Sequence, residues 1–165
     1  MNVRPKYSLI EFERRWIVRK EMIPDLSELE RIEIYDKYFP DTRMRLRKMV
    51  NTLTNITDYK LTKKYGKTSA VSEPLTTIYL SETEYFLFSR QDGFELRKTI
   101  FRYPFSGNIF LLEFFRYPEL NIILAEAESS SEKELSRLAI PDFTEREVTS
   151  EKMYEGYSIA AGNVI

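Results

Sequence analysis

The chain has 165 residues with 25 Lys and Arg against 26 Asp and Glu, and its formal net charge of −1 excludes a long-range attraction to nucleic acid or to an anionic membrane. It contains no Cys and no His, which excludes disulfides, thiolate chemistry and histidine as a general base or metal ligand. Metal chemistry in this chain must therefore use carboxylates, which favour Mg²⁺ or Mn²⁺.

The first predicted strand includes residues 9–16 and carries charges at every second position. Residues two apart on a strand share a face, so Glu11, Glu13 and Arg15 lie on one face. Apart from Arg14, the residues of the other face can pack: Ile10, Phe12, Trp16 and Val18. Hard cations take oxygen ligands and arginine matches phosphate geometry, so the stripe predicts a place for a divalent metal beside a phosphate. The same alternation is also typical of any half-exposed antiparallel strand.

The next predicted elements are strands separated by polar segments, Pro and Gly. They are, in chain order, residues 30–39, 43–50 and 59–65. The first follows a polar stretch around residues 24–27 and ends at Pro40-Asp41, and the last ends at Gly66. Residues 67–77 are ambiguous because Pro74 favours an edge strand or a loop.

Short helices are predicted at three places. Ser81 and Glu84 match a capping box, which predicts a helix that runs to about Arg90. The other two helices are predicted for residues 131–138 and after Thr149. We expect the first of these helices to have a structural role.

Between the first two helices, three strands joined by turns form a predicted meander: residues 94–105, 109–116 and 121–128. The predicted strands, seven or eight in all, alternate apolar and polar residues and have polar second faces. This pattern predicts a mainly β (α+β) fold, a closed eight-stranded antiparallel β-barrel with a few short flanking helices. We expect one domain over residues 1–165, because the length and 42% hydrophobic content suffice for one core.

Several predicted strands carry matching charged faces. Arg45 and Arg47 alternate on the third strand, and Lys64 lies on the fourth. Glu126 and Glu128 repeat the paired-carboxylate pattern with an alanine between them. A dry interior filled by charges is costly unless the charges have partners, so we expect the barrel to hold an ion-rich ligand.

The order of these motifs resembles the CYTH superfamily, also called the triphosphate tunnel metalloenzymes. The motifs are Glu-x-Glu-x-basic at residues 11–15, Arg-x-Arg at 45–47, Leu-Thr-x-Lys at 61–64, Leu-Arg-Lys-Thr at 96–99, Leu-Ala-Glu-x-Glu at 124–128 and Glu-Val-Thr at 147–149. Together they extend over nearly the whole chain, from about Ser8 to Ala161. The resemblance implies an eight-stranded tunnel that binds a triphosphate group together with Mg²⁺ or Mn²⁺.

The resemblance also implies roles for individual residues. The metal ligands would be Glu11, Glu13, Glu126 and Glu128. The triphosphate would be bound by Arg15, Arg45, Arg47, Lys64, Lys98, Arg102 and Tyr38. The chemistry of the residues agrees, since triphosphate hydrolysis needs positioning and charge stabilisation more than covalent help. Glu128 or Glu113 would act in catalysis by accepting the proton of the attacking water.

The chain also departs from the family pattern at three points. Arg15 replaces the usual lysine, which keeps the charge but changes reach and geometry. Ile100 stands where the family has an arginine, and we expect Arg102, on the same strand face, to substitute for it. The mid-chain Arg-x-Glu-x-Glu segment is not visible, because residues 69–77 offer only Glu73 as an acid. Losing part of that acidic and basic set would weaken the binding of a second metal or narrow the range of accepted substrates.

The leading hypothesis is a metal-dependent hydrolase of inorganic tripolyphosphate or of an organic triphosphate. The alternatives are a class IV-type adenylyl cyclase that makes cyclic AMP, and a nucleotide or polyphosphate binding protein with weak catalysis. The expected partner is a small-molecule triphosphate, and neither nucleic acid nor a membrane is expected to bind. The sequence does not exclude a homodimer. No apolar run follows a basic N-terminal region and no segment has the length of a membrane span, so we expect a cytoplasmic location.

Overall fold

Antiparallel strands dominate the computed structural model, which describes residues 5–163. The strands are β1 (Leu9–Val18), β2 (Arg31–Tyr38), β3 (Met44–Asn51), β4 (Thr57–Lys64), β5 (Ser72–Leu80), β6 (Phe94–Phe105), β7 (Asn108–Tyr117), β8 (Glu119–Ser129) and β9 (Thr144–Glu147). The helices are α1 (Glu82–Ser89), α2 (Glu132–Leu135) and α3 (Gly156–Ala160), with single 3-10 turns at Lys20–Met22 and Lys152–Tyr154. No helix within residues 5–163 is long and apolar enough to cross a membrane.

The barrel closes because β1 pairs with two neighbours in the ring. The strand order is β5-β4-β3-β2-β6-β7-β8-β1, and β5 also pairs with β1, with Leu9 opposite Leu75. All these pairs are antiparallel. The predicted fold class, a closed eight-stranded antiparallel barrel with short flanking helices, is confirmed. An unpredicted ninth strand, β9, adds to the C-terminal part of β1, with Trp16 opposite Glu147.

The segment that the sequence left ambiguous is the strand that closes the barrel. Pro74 lies within β5, opposite Ile10 of β1, and its carbonyl accepts a hydrogen bond from the backbone of Tyr65. Proline lacks a backbone donor, but the Tyr65 carbonyl accepts a hydrogen bond from Arg43 Nη1 at 2.7 Å. A proline is tolerated here because it lies just beyond the end of β4, where the backbone pairing of β4 with β5 runs out.

The larger apolar core lies outside the barrel wall, on the outer faces of β1, β7 and β8. Its buried members are Trp16, Val18, Phe110, Leu112, Ile123, Ala125, Ala127 and Phe143. Partly buried apolar residues near positions 23–26 and 138–140 pack against it. Because residues alternate across a strand, this arrangement turns the charged residues of β1 and β8 into the barrel.

A second apolar cluster fills one end of the barrel interior. Leu96, Phe115 and Leu124 point inward from three strands and pack with Val148 and with Ile159 of α3. This cluster holds the C-terminal helix against the barrel. The capping box predicted for α1 is also present, with Ser81 and Glu84 satisfying each other's backbone donors.

Candidate functional site

The barrel encloses a cavity of about 330 Å³, which lies at the small end of the range for small-molecule sites. Among residues 5–163, seven cationic side chains line it: Arg15, Arg43, Arg45, Arg47, Lys64, Lys67 and Lys98. Seven carboxylates line it as well: Glu11, Glu13, Glu73, Glu113, Glu126, Glu128 and Glu155. The strand order places β3 four positions from β8 in the ring of eight, so the two arginines of β3 face the two glutamates of β8 across the barrel.

The basic wall is built on β3, where Arg45 and Arg47 point inward with side chains 22% and 14% exposed. Asp36 of β2 binds Arg47 through two hydrogen bonds, Nε to Oδ1 at 2.6 Å and Nη2 to Oδ2 at 2.7 Å. Burial alone would raise the pKa of Asp36, but Arg47 and Arg45 outweigh it and hold this pKa below its usual range. Asp36 therefore fixes the direction in which the Arg47 side chain points.

Arg45 retains unused hydrogen-bonding capacity. Its Nε is buried without a hydrogen-bond partner among residues 5–163, and the nearest carboxylate oxygen, on Asp36, lies 3.9 Å away. An unsatisfied buried donor is costly unless a ligand or water satisfies it. The Arg45 guanidinium is therefore suited to an anion in the cavity.

The glutamates of β1 and β8 form an acidic wall of the cavity, and Arg15 holds two of them in place. The Arg15 Nη2 lies 2.7 Å from Glu126 Oε2 and 3.1 Å from Glu13 Oε1, and its Nη1 donates to the Tyr154 carbonyl. Burial would raise the pKa of Glu126, but the Arg15 charge outweighs it and lowers that pKa. Burial and the charge of Glu126 raise the pKa of Glu13. Arg15 thus lines the cavity, as predicted, but its donors already bind protein groups.

Two further cations are held in ion pairs. Lys64 Nζ lies 2.8 Å from Glu11 Oε2 and 3.3 Å from Glu73 Oε2. Lys98 forms a buried ion pair with Glu113. These pairs let the acids and bases of the unliganded cavity neutralise one another.

Glu128 differs from the other acids. It is exposed and lines the cavity, and its carboxylate makes no hydrogen bond or ion pair with any residue in the described range. Partial burial, with the charges of Glu126, Glu11 and Glu13, raises its pKa to about 7. A carboxylate with this pKa is suited to accept a proton near neutral pH.

Tyr38 lines the cavity beneath α3. Its hydroxyl lies 3.4 Å from Asp36 Oδ2, and burial together with the Asp36 charge raises its pKa to about 12. Tyr157 of α3 packs edge-on against Tyr38, and a Cβ on Gly156 would come 2.0 Å from the Tyr38 oxygen. Tyr38 therefore supports the C-terminal helix as well as the cavity.

Arg102 is the one predicted site residue that does not line the cavity in residues 5–163. Its Nε lies 2.9 Å from Glu30 Oε2, and its side chain is 42% exposed. The expectation that it substitutes for the arginine missing at Ile100 is not supported, because β6 continues past the cavity before it reaches Arg102. The other predicted residues line one cavity, as do Arg43, Lys67 and Glu155, which we did not predict.

The donor chemistry of the acidic wall fits a hard divalent cation, since every candidate ligand is a carboxylate oxygen. Within the described part of the chain, no group of three acids lies close enough together to hold one ion. Glu11, Glu13 and Glu126 instead bind Lys64 and Arg15. A metal would have to take these carboxylates from their cationic partners.

Solved structures with a similar fold are known. The structure of the inorganic triphosphatase NE1496 is 23% identical, covers 91% of this chain and 93% of its own, and has a TM-score of 0.59. A structure from Bacillus halodurans, described as that of a proposed adenylate cyclase, is 17% identical, covers 90% of this chain and 100% of its own, and has a TM-score of 0.52. No family model and no curated protein matches the chain. These likenesses show a shared fold, the fold that the CYTH resemblance implies.

Proposed function

We propose that this chain belongs to the triphosphate tunnel metalloenzymes and hydrolyses a triphosphate group inside its barrel. The observation that carries the proposal is the cavity in which a wall of arginines on β3 faces a wall of glutamates on β1 and β8. A triphosphate is a polyanion whose transfer requires fixed positive charge and alignment. The descriptions of the two structures with this fold agree with such chemistry.

The basic wall would bind the phosphate oxygens. Arg45 has a free buried donor, and Arg47 is held in a fixed direction by Asp36, so both are prepared for an anion. Arginine offers paired donors to phosphate, whereas Lys64 and Lys98 act as point charges. As phosphate takes up Lys64, Glu11 and Glu73 are freed from it.

Glu11, once free of Lys64, would join Glu13 and Glu126 as ligands of the metal, and Glu128 would be left to act as a base. A bound Mg²⁺ or Mn²⁺ supplies charge neutralisation and lowers the pKa of the attacking water. Glu128 would then accept a proton, because it has no cationic partner and its pKa is raised to about 7. Glu113 is less suited to this role because Lys98 binds it. Water adds to the terminal phosphorus of tripolyphosphate, the bridging P–O bond breaks, and orthophosphate and pyrophosphate leave.

The test is phosphate release from tripolyphosphate, ATP and thiamine triphosphate with Mg²⁺ or Mn²⁺. We expect Glu13→Gln to lower turnover at least about 100-fold, because it removes a metal ligand but keeps the shape that Arg15 contacts. Glu119→Gln, an exposed change at the start of β8, should leave turnover unchanged. Equal activity in wild type and Glu13→Gln would refute the proposal.

Other products would favour the alternative functions. Cyclic AMP and pyrophosphate from ATP would identify a cyclase. Binding of tripolyphosphate that raises the melting temperature, without any product, would identify a binding protein.

A further inference from the structure

The basic wall does not end at Arg45. Arg43 directly precedes β3 and lies two residues before Arg45 and four before Arg47. Because residues two apart on a strand share a face, the three side chains form a row on one face. The row extends about 13 Å, at about 3.4 Å per residue. Exposure rises along it, from the mostly buried Arg47 to the exposed Arg43. The row therefore leads from the barrel interior to solvent.

The position of Arg43 is fixed by its surroundings. Its carbonyl accepts a hydrogen bond from the backbone of Lys64 at 2.9 Å, and its Nη1 donates to the Tyr65 carbonyl at 2.7 Å. Gly66 makes room for the guanidinium, since a Cβ at that position would come 2.4 Å from Nη1. The Nε and Nη2 of Arg43 donate to no group in residues 5–163. Arg43 thus presents a preorganised guanidinium with free donors to the cavity.

The surroundings of Arg43 suit an anion better than an aromatic ring. Lys67 lines the same cavity and adds a second positive charge, which binds the Thr149 carbonyl and lies 3.3 Å from Glu155. Nearby rings are already packed, since Tyr157 makes edge-on contacts with both Tyr38 and Phe94. A nucleobase would need a free stacking surface, whereas the rings of Tyr38, Phe94 and Tyr157, within residues 5–163, are engaged with one another.

We propose that Arg43 forms an outer phosphate subsite, which binds a fourth phosphoryl group when the first three occupy the inner part of the tunnel. The inference rests on the proposed triphosphate site and narrows its substrate class to linear inorganic polyphosphates of more than three units. The inner guanidiniums of Arg45 and Arg47 hold the triphosphate part. Arg43 holds the next unit of the chain where the tunnel meets solvent.

Calorimetric titration in EDTA separates binding from catalysis and uses tripolyphosphate, tetrapolyphosphate and ATP as probes. We expect wild type to bind tetrapolyphosphate about tenfold more tightly than tripolyphosphate, because one more phosphate gains charge-assisted hydrogen bonds. Arg43→Gln should remove most of this difference and change tripolyphosphate affinity less than about threefold. Arg43→Lys should restore part of the difference, since it keeps the charge without the paired donors.

Arg90→Gln is the matched control, because it removes an equal charge from an exposed arginine outside the cavity. It should not alter the preference for tetrapolyphosphate. The subsite is refuted if wild type binds both polyphosphates equally, if Arg43→Gln weakens both equally, or if Arg43→Gln weakens ATP more than tetrapolyphosphate. If wild type binds none of the probes either in EDTA or with Mg²⁺, the proposed triphosphate site itself fails.

Discussion

The guanidinium of Arg15 joins the acidic wall to the C-terminal segment. Its donors bind Glu13, Glu126 and the Tyr154 carbonyl, and its side chain is only 10% exposed. A buried charge of this kind is tolerated because the surrounding acids compensate it. Arg15 therefore positions two of the candidate metal ligands, Glu13 and Glu126.

Removing Arg15 should destabilise the fold. We expect Arg15→Met to lower the free energy of unfolding at pH 7 by about 3–5 kcal/mol, because it leaves Glu126 and Glu13 buried without a counter-charge. Urea unfolding measures this loss. Arg15→Lys should recover part of it, and the exposed change Arg90→Met should cost almost nothing. A loss for Arg15→Met as small as that of the control would contradict the role.

The raised pKa values of Glu13 and Glu128 predict a pH dependence of stability without metal. Both groups keep their protons in the folded state to a higher pH than in the unfolded state, where carboxyls titrate near 4.5. The stability that they contribute is present below about pH 4.5 and is lost as the pH rises through about 7. The melting temperature in EDTA should therefore fall between pH 5 and pH 8.

Two matched variants identify which group makes the melting temperature fall with pH. Glu128→Gln should flatten it, whereas Glu28→Gln, an exposed change away from the cavity, should not. The lowered pKa values of Asp36 and Glu126 act in the opposite direction, but at lower pH, where protonation of these groups removes their stabilising pairs. A melting temperature that stays level or rises from pH 5 to pH 8 would show that the acidic wall is not strained.

At the scale of elements, α3 shapes one end of the cavity although it has only five residues. Ile159 is buried in the inner apolar cluster, and Tyr157 packs against Tyr38 and Phe94. So short a helix is not stable by itself, and these contacts hold it in place. The lack of a side chain at Gly156 permits the close approach to Tyr38.

A side chain at Gly156 should disturb this contact. We expect Gly156→Ala to lower the free energy of unfolding by about 1–3 kcal/mol, because the new methyl group overlaps the Tyr38 hydroxyl. Tyr38→Phe should recover part of that loss in the double variant, which urea unfolding can measure as a coupling energy. Ser158→Ala in the same helix is the control. Independent, additive losses would show that α3 does not depend on the close approach.

At the scale of the whole molecule, the barrel balances positive and negative charge within one cavity. Without ligand, carboxylates such as Glu11 and Glu73 satisfy cations such as Lys64 that would otherwise attract phosphate. The acids therefore compete with an anion when no metal is present. When these acids bind a metal, they no longer compete with the anion, and the metal favours its binding.

This competition predicts opposite effects of one substitution. Glu11→Gln should tighten the binding of tripolyphosphate in EDTA by about tenfold, because it removes one negative charge from the cavity and releases Lys64. The same variant should lower metal-dependent turnover, because it removes a candidate ligand. Calorimetry and phosphate release measure the two effects, with Glu119→Gln as the control. Weaker binding of tripolyphosphate by Glu11→Gln in EDTA would show that the acids do not compete with the anion.

Much of the candidate site was predictable because the face of a residue on a strand follows from its position. Glu11, Glu13 and Arg15 share a face in the sequence and share the cavity in the structure. Arg102 shows where this reasoning fails, since it shares a face with Lys98 but lies beyond the cavity. Lys67 lies in a loop, where no period predicts the direction of a side chain.

The sequence by itself determined most of the strands, their apolar and charged faces, and the set of residue types available for chemistry, because the two-residue period is a local property of the chain. Only the tertiary structure decided that β5 closes the barrel despite Pro74, and that β3 faces β8. It also decided which cations form ion pairs and which, like Arg45, keep a hydrogen-bond donor without a partner among residues 5–163. These features depend on strand register and closure, which join residues far apart in the sequence.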